Sequence, residues 1–212
     1  MELAQRLQYL LFSFKEHRRS PSEVYVSDLT SCFRRAWLTL RFNAEPKPSG
    51  AMVVGKLLHH ALKDVLGGAF NDAQFEVECS YPLGGGWLLV GKADMVTAGE
   101  VYEFKFTKGE AFNQANPAYY AQVSAYCKML NKAKGYLILV DRDKFTFNVL
   151  EASPDEDLWG NMLEEAKLLI EALAKDEIPT LNSPRFEWEC KSCAWNAVCR
   201  NLKTEAKPIG IH

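Results

Sequence analysis

Apolar positions along this chain follow a helical period at both ends and a strand period in between, and the changes of period mark out its elements. Leu3, Leu7, Leu10, Leu11 and Phe14 recur at helical spacing, which predicts an amphipathic packing helix at the N-terminus. Residues 27–42 predict a second helix, capped by Ser27, with Leu29, Phe33, Trp37 and Leu40 on related faces. A Pro/Gly/Ser loop over 43–50 separates it from a third helix, 51–66, that Gly67-Gly68 stops. Stretches 74–82, 86–97 and 100–107 then turn β-branched and aromatic with turn signals between them, the mark of a strand meander. Pro117 suits the first turn of a helix running to 132. Two further strands are expected over 135–140 and 145–152, and Ser153 is expected to cap a helix that reaches 175. The tail beyond carries Pro179, Pro184 and three cysteines. The order of helices, three strands, helix, two strands, helix predicts a mixed α/β core. Its expected parts are an N-terminal helical region (1–50), a core (51–175) and a cysteine-rich tail (176–212).

Composition changes this picture little. At 212 residues and 48% hydrophobic, with charged residues balanced to a net charge of −2, the chain is globular, and it is not a basic nucleic-acid coat. Local basic patches and bound cations can still serve a nucleic-acid site, so the charge excludes no DNA-acting enzyme. The first residues hold Glu2 and Arg6 inside the apolar stretch and lack a small-residue cleavage site, which does not fit a secretory signal. No apolar run of about eighteen residues occurs. A soluble, cytoplasmic protein with no membrane partner is expected.

The candidate chemistry lies in the meander. The segments 91–96 (GKADMV) and 101–106 (VYEFKF) carry Asp94 and the pair Glu103, Lys105, which alternate residues of a strand place on one face. If the tight turn is centred on Ala98-Gly99, Asp94 lies opposite Glu103 with Cβ atoms about 5 Å apart. Two carboxylates so close call for a cation, and a hard divalent ion such as Mg²⁺ or Mn²⁺ is the natural one. Phosphodiester hydrolysis needs such a site, with the Lys105 ammonium placed to offset developing charge. Taken alone, Glu-x-Lys is equally an exposed strand with an ordinary Glu–Lys pair. Three additions bear on the choice. His59 stands four residues after Gly55, with His60 as a rival. Gln122 and Tyr126 share a helical face at i,i+4. A small residue beside the acid in GKAD leaves room for a substrate backbone.

Six cysteines are present, and Cys190, Cys193 and Cys199 form C-x₂-C-x₅-C. A tetrahedral thiolate site needs a fourth ligand, for which Cys32 is the candidate, while Cys79 and Cys127 fall in core elements and read as buried free thiols. Spacing leaves Zn²⁺ and an iron–sulfur cluster both open. Arg34, Arg35, Trp37 and Arg41 either track a nucleic-acid strand or form a helix that packs Trp37 inward.

Taken together in chain order, Gly55/His59/Leu62, Gly91/Asp94, Glu103/Lys105 and Gln122/Tyr126 resemble the motif series of RecB-type PD-(D/E)XK nucleases. With one cysteine before them and three after, the chain is similar to the iron–sulfur members, and its size matches the CRISPR-associated exonucleases of the Cas-four family. No Walker A phosphate loop attaches a helicase motor. Phe33 departs from the Pro that many relatives carry after the first cysteine. The resemblance implies a restriction-endonuclease-like mixed sheet flanked by helices, with an iron–sulfur region built from the N-terminal helical part and the C-terminal tail. It implies that His59, Asp94 and Glu103 bind Mg²⁺ or Mn²⁺, that Lys105 is catalytic, and that Gln122 and Tyr126 hold single-stranded DNA, Tyr126 by stacking on bases. It also implies a 4Fe–4S cluster on Cys32, Cys190, Cys193 and Cys199, 5′-to-3′ exonuclease action in spacer acquisition, and the CRISPR integrase as partner. A DNA-repair nuclease outside CRISPR and a non-catalytic cluster-bearing DNA-binding module are the competing readings. Paired acids beside phosphate speak against the second of these.

Overall fold

The structure is a computed structural model that describes residues 3–12, 19–44, 49–109, 112, 114–181 and 183–202. In chain order the described elements are α1 (Leu3–Phe12), β1 (Glu23–Tyr25), α2 (Val26–Leu29), α3 (Phe33–Phe42), α4 (Gly50–Gly67), β2 (Gln74–Gly84), β3 (Trp87–Val96) and β4 (Glu100–Thr107). There follow α5 (Pro117–Leu130), β5 (Lys134–Asp141), β6 (Phe147–Glu151), α6 (Glu156–Lys175), α7 (Glu189–Ser192) and α8 (Asn196–Asn201). The meander, its flanking helices and the two later strands thus stand where the periodicity put them. No described helix is long and apolar enough to cross a membrane.

Four expectations change. The helix expected over 27–42 is two helices, broken at residues 30–32. Cys32 has φ −56° and ψ 116°, and its N–H is donated to Glu189 Oε1 from the far end of the chain at 2.7 Å, so it cannot continue a helical ladder. Ser27 lies inside α2 and does not cap it; Asp28 Oδ2 accepts the Tyr25 N–H instead, at 2.8 Å. At the start of α6 the cap is Asp155, whose Oδ1 accepts from Leu158 N at 2.9 Å, whereas the Ser153 hydroxyl donates to Glu151. Finally, α1 forms but does not pack: Leu3, Leu7, Leu10 and Leu11 are exposed, and Phe14 lies outside the described residues.

The sheet explains where an active site can open. β2 lies antiparallel along the whole of β3. The other edge of β3 is shared: β1 runs parallel to it at Leu88–Val90, and β4 pairs antiparallel only through Met95↔Tyr102 and Val96↔Val101. Between these two partners, residues 91–94 of β3 have no described strand beside them on this edge. β4 then continues parallel to β5, through α5, and β5 pairs antiparallel with β6.

Helices cover both faces. On one, Leu29, Phe33, Trp37, Val123 and Leu169 pack on Leu89 and Leu137. On the other, Leu62 and Leu66 of α4 cover Met95, Phe104, Ile138 and Val140. Gly135 of β5 lets α5 approach closely, since a Cβ there would lie 2.5 Å from Val123 Cγ1 and 2.6 Å from the Ala152 carbonyl.

Candidate active site

The gap in the β3 edge places the candidate residues. The tight turn is centred on Ala98-Gly99 as the sequence suggests, with Thr97 N–H donated to Glu100 O at 3.0 Å, and the observed pairs extend in register to Asp94 opposite Glu103. The ladder stops one step short of them. Phe104 N–H, which has lost its strand partner, is taken up by Asp94 Oδ2 at 2.8 Å. Asp94 therefore ends the ladder and holds its second oxygen toward α4, where His59 Nδ1 stands 3.5 Å from Asp94 Oδ1. The His59 ring rests edge-on against Phe106, with centroids 5.1 Å apart.

Glu103 is buried, with 3% of its surface exposed, and Oε1 accepts from Lys105 Nζ at 2.7 Å, while Oε2 is buried with no hydrogen-bond partner among the described residues. Such an orphaned buried oxygen is costly unless something supplies positive charge. Burial, and then the charge of Asp94, push the Glu103 carboxyl up to about 7. Burial also raises Asp94, against the pull of Lys105 and the Phe104 N–H. Burial pulls the Lys105 ammonium down, but the Glu103 and Asp94 carboxylates outweigh it and its net shift is upward. His59 is lowered, chiefly by burial, which keeps its imidazole neutral near pH 7. The two carboxyls and the neutral imidazole are groups that can act as ligands to a divalent cation, and the retained ammonium beside them suits an anion such as a phosphate. As they are arranged, no three His, Cys, Asp or Glu side chains among the described residues stand close enough together to hold a metal ion.

Gln122 and Tyr126 stack one turn apart on α5, and Gln122 Nε2 donates to the Tyr126 hydroxyl at 2.8 Å. The expected base stacking by Tyr126 is not available, because its ring is only 3% exposed. It fills the space over Gly91, where an added Cβ would lie 2.4 Å from Tyr126 Cε1. Gly91, three residues before the acid, therefore makes room for the Tyr126 ring. Trp37 is buried, as the packing alternative has it, whereas the arginines are held by the protein: Arg34 donates to Pro179 O, Arg35 to Ser31 Oγ, and Arg41 pairs with Asp176.

The segment at residues 32–39 meets the segment at 183–199. Glu189 is buried and accepts the N–H of Cys32 on Oε1 and of Phe186 on Oε2. Arg34 N–H goes to Ser183 Oγ, and Trp195 Nε1 donates to Thr39 Oγ1 at 3.0 Å. Arg34 Nη1 also reaches Cys199 Sγ at 3.7 Å, and the Cys32 thiol, raised first by burial, is raised further by Glu189 and Cys193. Cys190 is exposed and Cys193 and Cys199 are half-buried. Cys79 and Cys127 are buried free thiols, as their positions in the core predict. Glu189 was not visible as a functional residue in the sequence; its only signal is that it adjoins Cys190.

A cleft of about 1020 Å³ joins these regions, with His59, Asp94, Gln122 and Tyr126 at one part of its lining and Cys193 at another.

The chain matches a model of the PD-(D/E)XK nuclease superfamily over residues 64–200, and a model of DNA replication factor Dna2 over residues 22–83. It is 29% identical over 200 residues to the CRISPR-associated exonuclease Cas4 of Saccharolobus solfataricus, covering 86% of this chain and 90% of that protein. The crystal structure of SSO0001 superposes with a TM-score of 0.73 at 24% identity, over 95% of this chain and 97% of that one. An alkaline exonuclease from Laribacter hongkongensis, LHK-Exo, superposes with a TM-score of 0.60 at 13% identity, over 79% and 93% of the two chains.

Proposed function

Because the chain belongs to the PD-(D/E)XK nuclease superfamily, we propose that it is a divalent-metal-dependent exonuclease that degrades single-stranded DNA from the 5′ end during CRISPR spacer acquisition. The observation that carries the reading is the opened sheet edge, where Asp94 stands beside Glu103, whose Oε1 holds the Lys105 ammonium while its Oε2 is left without a hydrogen-bond partner among the described residues. The similarity to the Cas4 exonuclease supports the CRISPR setting, and the integrase is the partner proposed with it.

His59, Asp94 and Glu103 are the residues that would hold Mg²⁺ or Mn²⁺, and the ion supplies Lewis acidity to the scissile phosphate. The chain's own groups do the rest. Asp94 fixes the β4 backbone at Phe104 while presenting its other oxygen. Lys105, held by Glu103 and lying 5.0 Å from the Tyr119 ring centroid, keeps a positive charge where negative charge develops. Gln122 and Tyr126 support the strand edge from below, so their part in holding DNA is to set the position of Gly91 and Asp94. The decisive assay offers single-stranded oligonucleotides labelled at either end, with and without Mn²⁺. Metal-dependent shortening from the 5′ end is expected, and a chain inert on every nucleic-acid end would end the proposal.

The Dna2 match favours a second reading, a replication or repair nuclease with the same chemistry outside CRISPR. Co-purification with the integrase separates the two.

Metal affinity should fall on acidification. Glu103 must be a carboxylate to bind, and its folded pKa of about 7 stands above its ordinary 4.5. Its protonated form therefore contributes stability to the metal-free protein below about 4.5, and that contribution is lost as pH rises through about 7. Binding must displace the proton on the acid side, so apparent Mn²⁺ affinity should drop by up to tenfold per pH unit below about 7. Calorimetric titration at several pH values checks this; an affinity independent of pH would contradict the role of Glu103.

We also propose that Cys32, Cys190, Cys193 and Cys199 hold an iron–sulfur cluster of the 4Fe–4S type. The support is that the Cys32 N–H is held by Glu189, the neighbour of Cys190, that Cys193 acts on the Cys32 thiol, and that Arg34 reaches Cys199. A closed four-thiolate site serves the fold and leaves no open position for phosphate. Cys190→Ala and Cys199→Ala should bleach any brown colour, lower the melting temperature and reduce solubility. Cys79→Ala and Cys127→Ala should leave the colour intact. Wild-type colour and melting in Cys32→Ala would show that the fourth ligand is elsewhere.

A further inference from the structure

Beside the candidate metal residues lies a group that the nuclease reading does not use. Glu76 is the third residue of β2, directly between the pairs Phe75↔Met95 and Val77↔Ala93, and so lies across from Asp94. Its φ is +53°, a left-handed conformation that a glutamate within a strand adopts only under strain. Its carboxylate stands between two ammonium groups, with Lys92 Nζ 3.1 Å from Oε1 and Lys63 Nζ 3.5 Å from Oε2. Both lysines reach it from elements that carry the site: Lys63 is one helical turn beyond His59 on α4, and Lys92 is two residues before Asp94 on β3. All five residues line the same cleft. The three charged tips are about half exposed, so an anion in the cleft can reach them.

We infer that Lys63 and Lys92 form a clamp for a backbone phosphate of single-stranded DNA next to the scissile one, and that Glu76 occupies this clamp until DNA displaces it. The inference deepens the nuclease reading and rests on it. One strand step of two residues, or one helical turn, separates the clamp from Asp94 and His59, about 6 Å in either case. That offset carries an extended strand from the metal residues to the clamp without a bend. Two ammonium groups facing one point suit a phosphate, and a carboxylate at that point is the nearest protein mimic of one. The left-handed backbone at Glu76 is what turns its side chain toward both lysines. Glu78, the register partner of Lys92, carries the same charge two residues along but makes neither ion pair. It therefore serves as a control for charge alone.

The test is binding of a fluorescent single-stranded oligonucleotide in EDTA, where cleavage is absent, over a range of salt concentrations, with cleavage in Mn²⁺ measured in parallel. Lys63→Ala and Lys92→Ala should each weaken binding and make the plot of log affinity against log salt shallower by about 0.7, one phosphate contact on a single strand. Glu76→Gln should do the reverse, tightening binding severalfold and steepening the slope, while Glu78→Gln changes both much less. Glu76→Gly, which suits the left-handed backbone and removes the same carboxylate, should match Glu76→Gln and shows that the effect is not misfolding. If the wild type cleaves and binds DNA but the lysine variants keep its affinity and slope, or Glu76→Gln and Glu78→Gln act alike, the clamp is wrong and the nuclease reading stands. A wild type that binds no DNA at all overturns both.

Discussion

Asp94→Asn is expected to lose DNA cleavage by at least about 10³-fold, corresponding to roughly 4 kcal/mol of barrier, while folding as the wild type does. Asparagine retains the oxygen that accepts the Phe104 N–H, so the end of the β3–β4 ladder survives. What it removes is half of a repelling pair. The charge of Asp94 is one of the two causes that lift Glu103 to about 7, so the substitution should lower that pKa and leave the metal-free protein at least as stable. Loss of function with unchanged or raised melting temperature is the signature to look for. Glu103→Gln should be equally inactive but less stable, because Lys105 then keeps a buried charge without its carboxylate. Full activity in purified Asp94→Asn would remove Asp94 from the site, and a collapse of its fold would show that Asp94 serves structure first.

The second large effect is on the fold. Gly135→Ala should destabilise the protein by about 3 kcal/mol or more, toward the upper end for overpacked cores. The new methyl would stand 2.5 Å from Val123 Cγ1, 2.6 Å from the Ala152 carbonyl oxygen and 2.7 Å from Cys127 Sγ. The valine branch and the cysteine can shift a little, but the carbonyl belongs to the backbone just after β6 and accepts no such approach. Val123 and Cys127 are fully buried and one turn apart on α5, so moving one moves the helix. Chemical denaturation reads this directly. A variant that unfolds at the wild-type midpoint would mean that α5 and β5 lie farther apart than described. Cys127→Ala combined with Gly135→Ala should recover part of the loss, since it clears one of the three contacts.

The contrast between what the sequence showed and what it hid follows the range of the interactions involved. The Ala98-Gly99 turn, the register that carries Asp94 opposite Glu103, and the shared face of Glu103 and Lys105 are local, set by a two-residue turn and the alternation of a strand. The long strands and helices were legible for the same reason. β1 was not, since three residues are too few to show a period, and it is a strand only because β3 offers it an edge. The break between α2 and α3 depends on a carboxylate 157 residues away, which no window on the local sequence contains. Tyr126 had a legible partner in Gln122, but that its ring lies over Gly91 is a tertiary fact, and it changes the residue from a surface for bases into a wedge. Glu76 gave no signal at all. Its unusual backbone and two lysine partners come from three different elements.

The Glu189 bond to Cys32 also sets an order of events during synthesis. Cys32 is made 157 residues before the carboxylate that accepts its N–H. At about 5–20 residues per second, a nascent chain waits roughly 8–30 s between the two. Throughout that interval Val24, Leu29, Phe33 and Trp37 must pack, if they pack at all, without the segment that closes over them. A ribosome stalled before residue 189 would therefore display a chain whose sheet is assembled and whose first helices are still open to proteases and chaperones. The segment around Glu189, made long after Cys32, would be the part that commits the first helices.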